Sequence, residues 1–165
     1  VGRVVAEGLE IRGGRLAIAD IDPDRVNAVM QLLNGATLLS PDAVVGHDTY
    51  LFAPCALGPV LTPDNVTSLR ARIVCGGANN QLATPSIALT LHERGVLYVP
   101  DFAVNAGAVI EGVLRQLGGD RPDLDVQAQI DTAIAAIGPR VTSILEEAAE
   151  QSWTPLEVAL NRTEV

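Results

Sequence analysis

Apolar residues Val4, Val5 and Leu9 recur at helical spacing and the Gly13-Gly14 pair ends that run, which predicts a first helix. LAIAD follows, an apolar strand from Leu16 to Asp20. Asp22-Pro23 then starts a second helix, whose apolar side is Val26, Val29, Met30 and Leu33 and which ends near Gly35. Further strands are predicted at Tyr50 to Ala53, Ile73 to Gly76 and Val96 to Val99. Between them, Thr62-Pro63 begins a short helical turn leading to Leu69, and Thr84-Pro85 caps a helix carrying Ile87, Ala88 and Leu91. After a polar Gly/Asp/Pro turn from Gly118 to Asp125, the residues Ile130, Ile134, Ile137, Val141, Ile144, Leu145 and Ala148 fall on one helical face. Pro139 should bend that stretch or divide it in two. Trp153, a large apolar anchor, precedes Thr154-Pro155, the expected cap of a last helix with Leu156, Ala159 and Leu160.

Short apolar strands alternating with amphipathic helices argue for an α/β fold, a Rossmann-like doubly wound parallel sheet covered on both faces. The chain opens with Val1-Gly2 at a helix entry, so it reads as a dinucleotide-binding fold entered after its first strand, which in the usual order lies mid-sheet. A longer parent protein is therefore expected. The organisation predicted is a dinucleotide-binding domain over 1–125, truncated at its N-terminus, and C-terminal helices over 126–165 that pack back toward a hinge.

Composition narrows the classes of partner. A formal charge of −9 makes nucleic acid a poor fit, and the eleven basic residues are all arginines, which removes an internal lysine as base, Schiff-base former or phosphate clamp. No apolar run reaches the ~18 residues of a membrane span, so no membrane partner and a cytoplasmic location are expected. Cys55 and Cys75 lack C-x-x-C spacing and are expected as free buried thiols in a reducing compartment. No metal site is predicted.

If Gly2 closes a G-x-G-x-x-G turn, Asp20 stands about 23 residues past its first glycine, near the position of the acid that binds the adenosine ribose. A carboxylate there accepts both ribose hydroxyls and repels a 2'-phosphate, favouring NAD over NADP, with Asp22 adding to the bias. The structural alternative is an aspartate capping the next helix. In APCALG, residues 53–58, Ala53, Ala56 and Gly58 permit close backbone approach and Pro54 stiffens the exit from the sheet, as a loop against a flat cofactor needs. Neither His47 nor His92 has a spacing that would make Cys55 a nucleophile, and His92 reads as a helix-surface residue before Arg94-Gly95. In GGANNQL, residues 76–82, Asn79 and Asn80 either face a ligand or bond their own backbone in a turn. Asn105 offers another amide within PDFAVNAGAVI, where Phe102, Val104, Val109 and Ile110 supply an apolar wall. Three small-residue segments at successive strand ends outline one cleft.

APCALG, GGANNQL, RGVLYVPDF and VNAGAVI, in this order and spacing, resemble the cofactor domain of the glutamate/leucine/phenylalanine/valine dehydrogenases, from Gly2 to about Val165. NNQL is nearest the branch acting on apolar amino acids. The resemblance implies reversible oxidative deamination of an L-amino acid to the 2-oxo acid and ammonium, with NAD as cofactor. It also implies two catalytic lysines and an aspartate on a preceding catalytic domain, so that no catalytic residue lies in this chain and the chain alone is inactive. Gly2, Asp20, Ala53, Pro54, Cys55, Ala56, Asn79, Asn80 and Asn105 resemble the cofactor contacts. Asn80, Ala103, Val104 and Ala106, with the residues on to Ile110, resemble the substrate-pocket lining. A homo-oligomer is implied too. The sequence departs from the family's pattern at Ala108, where a glycine is usual and a side chain would be strained if φ were positive, and at Tyr50, where an aspartate is common. Two alternatives stand beside this reading: a non-catalytic nucleotide-sensing domain, and an NAD-dependent dehydrogenase of another small substrate, which would need a cleft histidine.

Overall fold

The computed structural model describes residues 1–118 and 125–163, so most of the polar turn from Gly118 to Asp125 lies outside the described residues. The chain forms two compact units, Val1–Leu97 and Tyr98–Val165. This division by compactness falls ahead of the composition change near 125 used above as a boundary.

In the first unit, helix α1 (Gly2–Ile11) buries Ala6 and ends where Gly13 turns the chain at φ 82°. Strand β1 (Ala17–Ile18) follows, then helix α2 (Pro23–Met30). Asp22 caps α2 by accepting from the Asp24 and Arg25 amides, with Pro23 preset for the first turn. Strand β2 (Thr37–Leu38) pairs parallel with β1, Ala17 opposite Thr37 and Ile18 opposite Leu38. β2 was not among the predicted strands. Both of its residues are exposed, so it lacks the one-sided burial that marks a strand in sequence.

Strands β3 (Leu51–Phe52) and β4 (Ile73–Val74) also pair parallel, and β5 (Leu97–Tyr98) extends that sheet beyond β4. Phe52 and Val74 are buried while their neighbours Leu51 and Ile73 are half-buried, so one face of this sheet carries the core. A 3-10 turn (Val66–Ser68) and helix α3 (Ser86–Glu93) complete the unit, α3 burying Ile87, Ala88 and Leu91. Arg94, just past α3, donates its guanidinium to the Val66 and Leu69 carbonyls and ties the turn to the helix end. Thr84 caps no backbone amide in the expected way; its hydroxyl meets that of Ser86 at 2.8 Å.

Among the described residues, no strand joins β1–β2 to β3–β4–β5. The parallel pairs β1–β2 and β3–β4, with β5 beside β4 and helices between the strands, match a Rossmann-like α/β fold.

The second unit is helical: α4 (Asp101–Val104), α5 (Gly107–Gly118), α6 (Val126–Ala135), α7 (Ile137–Gln151) and α8 (Pro155–Asn161). Ile144, Ala148, Val158 and Ala159 form its buried core, with Ala103 packed against them. The helical stretch divides at Ala136, and Pro139 sits in the first turn of α7, where it has no helical hydrogen bond to break. Thr154 and Glu157 form a reciprocal capping box at the start of α8, the Thr154 hydroxyl accepting from the Glu157 amide at 3.1 Å. Trp153 is 42% exposed and so is no buried anchor.

Candidate functional site

Three backbone segments of the first unit converge beyond the carboxyl ends of β3 and β4. A Cβ placed on Gly2, at the start of α1, would lie 3.2 Å from Cys55 Cβ. One placed on Gly76 would lie 2.5 Å from the Pro54 nitrogen and 2.7 Å from its Cδ, and nearer still to its carbonyl oxygen. Gly77 faces Val1 and Cys55 in the same way. The Ala78 amide donates to the Pro54 carbonyl at 3.0 Å and locks the two loops together. Glycine is thus required at 76 by contact with the Pro54 backbone, whereas at 77 the obstacle is the Val1 side chain, and the predicted residues Gly2, Pro54 and Cys55 are neighbours. Ala53 and Ala56 flank them, Ala53 half-buried and Ala56 exposed. The positive end of the ten-residue α1 opens at this place, with backbone N–H groups that suit an anion.

The loop after β4 carries Asn79 and Asn80, both exposed. Asn80 has φ 54°, one of two non-glycine residues with positive φ among the described residues. Gln81 is fully buried beneath them, its Nε2 donating to the Gly76 carbonyl at 2.8 Å and to the Ala78 carbonyl at 3.0 Å. Its own carbonyl accepts from the Val60 and Leu61 amides, and Leu61 bridges to Leu82 in parallel. Sequence reasoning met Gln81 only as a letter of NNQL. A polar side chain between two exposed amides and an apolar Leu82 gives no sign of burial until the tertiary contacts exist.

Asp20 lies apart from this convergence, at an open cavity of about 490 Å³ lined also by Ile21, Pro23, Val26, Leu38 and Ser40. Helix capping belongs to Asp22, which holds the α2 amides and pairs with Arg25 at 3.1 Å. Asp20 makes a lighter local contact, one oxygen accepting from the Asp22 amide at 3.0 Å. The capping alternative is thereby reassigned to Asp22, and the exposed Asp20 carboxylate borders a mostly apolar hollow. Leu38 and Ser40 entered the site through β2 and its exit, the elements the sequence reading missed.

In the second unit, Ala103 and Val104 lie in α4, Asn105 ends that helix, and Ala106 leads into α5. The small-residue segment after β5 is therefore mostly helix, and all four residues are half-buried. Ala108 is helical and does not have positive φ, so the strain anticipated there is absent. Tyr50, the other departure, is exposed and holds the Arg72 guanidinium 5.7 Å from its ring centre, a cation–π contact at the entry to β3.

Both cysteines are free and half-buried rather than fully buried. Burial pushes the Cys75 thiol above its ordinary range, and the neighbouring Cys55 adds to the shift. The folded state then keeps the Cys75 proton at a pH where the unfolded chain has lost it, so stability is full below the unfolded thiol pKa and falls as pH rises through the folded value. Cys75→Ala is expected to flatten that alkaline decline, measured as melting temperature from pH 7 to 10; an unchanged slope would refute the assignment. His92 is exposed in the last turn of α3, as expected. No cluster of three metal-ligating side chains occurs among the described residues.

Parallel strands, helices packed beside them, glycine-constrained loops at strand ends and an acid beyond β1 define a Rossmann-like α/β domain. Residues 7–159 match the family described as Glutamate/Leucine/Phenylalanine/Valine dehydrogenase, and the chain belongs to that family. It is 37% identical over 140 residues to a valine dehydrogenase of Streptomyces coelicolor, covering 82% of this chain and 38% of that protein. It is 33% identical over 162 residues to an L-tryptophan dehydrogenase of Nostoc punctiforme, covering 96% of this chain and 43% of that one. The crystal structure of L-tryptophan dehydrogenase from Nostoc punctiforme superposes with a TM-score of 0.86 at 32% identity, over 99% of this chain and 48% of that one. The chain spans less than half the length of each of these relatives.

Proposed function

We propose that this chain is the NAD-binding part of an amino-acid dehydrogenase that reversibly deaminates an apolar L-amino acid to the 2-oxo acid and ammonium. The observation that carries the reading is the placement of Asp20: an exposed carboxylate at the rim of an apolar hollow, with the capping work done by Asp22. The hollow suits an adenosine, its ribose hydroxyls donating to Asp20. The α1 N-terminus beside Cys55 suits a pyrophosphate, because the first backbone N–H groups of a helix and its positive dipole end favour an anion. Bound NAD would supply the hydride acceptor for the substrate α-carbon.

The protein's own residues bind and orient. Ala53, Pro54, Cys55 and Ala56 form a thin, stiff edge beside the cofactor, and Asn79 and Asn80 present amides toward its nicotinamide half, Asn80 also toward substrate. Asn105 is assigned to the carboxamide, and Ala103, Val104 and Ala106 to the apolar side of the substrate pocket. Proton transfer and carboxylate binding fall to lysines and an aspartate of a catalytic domain in the parent protein, since this chain contains no lysine. A cytoplasmic homo-oligomer completes the proposal.

Calorimetric titration tests the reading directly. NAD is expected to bind saturably, with a Kd inside the range of about 1 μM to 1 mM common for enzyme ligands, and NADP at least about tenfold more weakly, because its 2'-phosphate meets Asp20. Absence of NAD binding at millimolar concentration, or a preference for NADP, would overturn it.

A further inference from the structure

We propose that Gln81 is a positioning residue, setting the Asn79–Asn80 loop for the nicotinamide half of the cofactor; this rests on the NAD-binding reading above. Three observations meet at this residue. Its side chain is fully buried, and the Nε2 protons go to the Gly76 and Ala78 carbonyls, both inside the loop it underlies. Its backbone carbonyl accepts from Val60 and Leu61, and the Ala83 amide donates back to Leu61, so the residue is anchored in the body of the unit while its side chain reaches the loop. At the loop tip Asn80 has φ 54°, the left-handed turn conformation that asparagine adopts more readily than most L-residues.

The physical logic is a tether that holds the root of the loop at two points. Gly76 is pressed against Pro54, and the Ala78 amide donates to the Pro54 carbonyl, so both points rest on the same residue. Gln81 joins these two points with one amide group, whose two N–H bonds fix their separation. A side chain of equal length without N–H donors would fill the same space and leave both carbonyls to find other partners. The loop would keep its place in the core but lose the geometry of its exposed amides.

The test compares two nucleotides, because they divide the site. ADP presents only the adenosine and phosphate groups assigned to Asp20 and the α1 N-terminus, whereas NAD also reaches Asn79 and Asn80. Gln81→Met is expected to raise the NAD Kd about tenfold while leaving the ADP Kd within about twofold. Equal weakening of both ligands would mean general loss of structure, and no change in either would mean no role; each overturns the proposal. Should the variant fail to fold, the wild-type chain decides by NMR. NAD is expected to shift the Gln81 side-chain amide and the Asn79 and Asn80 resonances, and ADP to leave them in place; identical responses to the two ligands would overturn it. A wild-type chain that binds NAD but fails these comparisons sinks this inference alone, and one that binds no NAD sinks the NAD-binding reading with it.

Discussion

Asp20→Asn is expected to raise the NAD Kd by about 10- to 100-fold and to erase most of the discrimination against NADP. Hydrogen bonds to an ionised group contribute about 1.5–3 kcal/mol, which sets the lower and upper ends of that range. Asparagine is the informative replacement because its Oδ1 can still accept from the Asp22 amide, as the Asp20 carboxylate does. The start of α2 is capped by Asp22 and Pro23 and does not depend on Asp20. The melting temperature should therefore stay nearly constant, as surface changes away from caps and cores cost within about 0.5 kcal/mol. Asp22→Ala provides the contrast: it removes the cap, worth about 1 kcal/mol, and should act on stability more than on nucleotide affinity. Titration of both variants with NAD and NADP, beside their melting curves, separates the two roles. Unchanged NAD affinity in Asp20→Asn would remove Asp20 from the site.

Gly76→Ala is the change expected to do most damage per atom added. Its methyl would fall 2.5 Å from the Pro54 nitrogen and 2.7 Å from Cδ, and closer still to the carbonyl that holds the Ala78 amide. No flexible side chain can yield here, since the obstacle is the proline backbone and ring. Overpacking of a fixed core costs about 1–3 kcal/mol and occasionally more, and this site belongs at the upper end. For a unit of this size about 3 kcal/mol corresponds to a fall of about 10–20 °C in melting temperature. NAD affinity should fall with it, because the loops carrying Cys55 and Asn80 can separate only by moving those residues. A Gly107→Ala variant offers the control: nothing lies within 4 Å of its added methyl, and its φ is not positive. It should be neutral or slightly stabilising, as alanine favours the helix. A Gly76→Ala protein with wild-type stability would mean that the contact with Pro54 is loose.

Local sequence determined much of this protein. The Gly13-Gly14 stop, the Asp22-Pro23 and Thr154-Pro155 starts, and the strands at Leu51–Phe52, Ile73–Val74 and Leu97–Tyr98 all follow from capping chemistry and short apolar runs. The residue motifs also carried the family, because small residues at strand ends leave a recognisable spacing. What depended on three dimensions was the partnership among these pieces. Strand β2 exists because β1 offers its backbone edge, and its exposed side chains record nothing of that pairing. Asp22-Pro23 marked the start of α2 along the chain, but only the fold shows that Asp20 takes no part in that cap and borders the cavity instead. Gln81 is polar in sequence and wholly buried in the fold, since its N–H groups find two loop carbonyls instead of water. Capping and periodicity act within a few residues and can be read along the chain; pairing, burial and steric exclusion arise between residues that sequence keeps apart, and only the folded backbone brings them together.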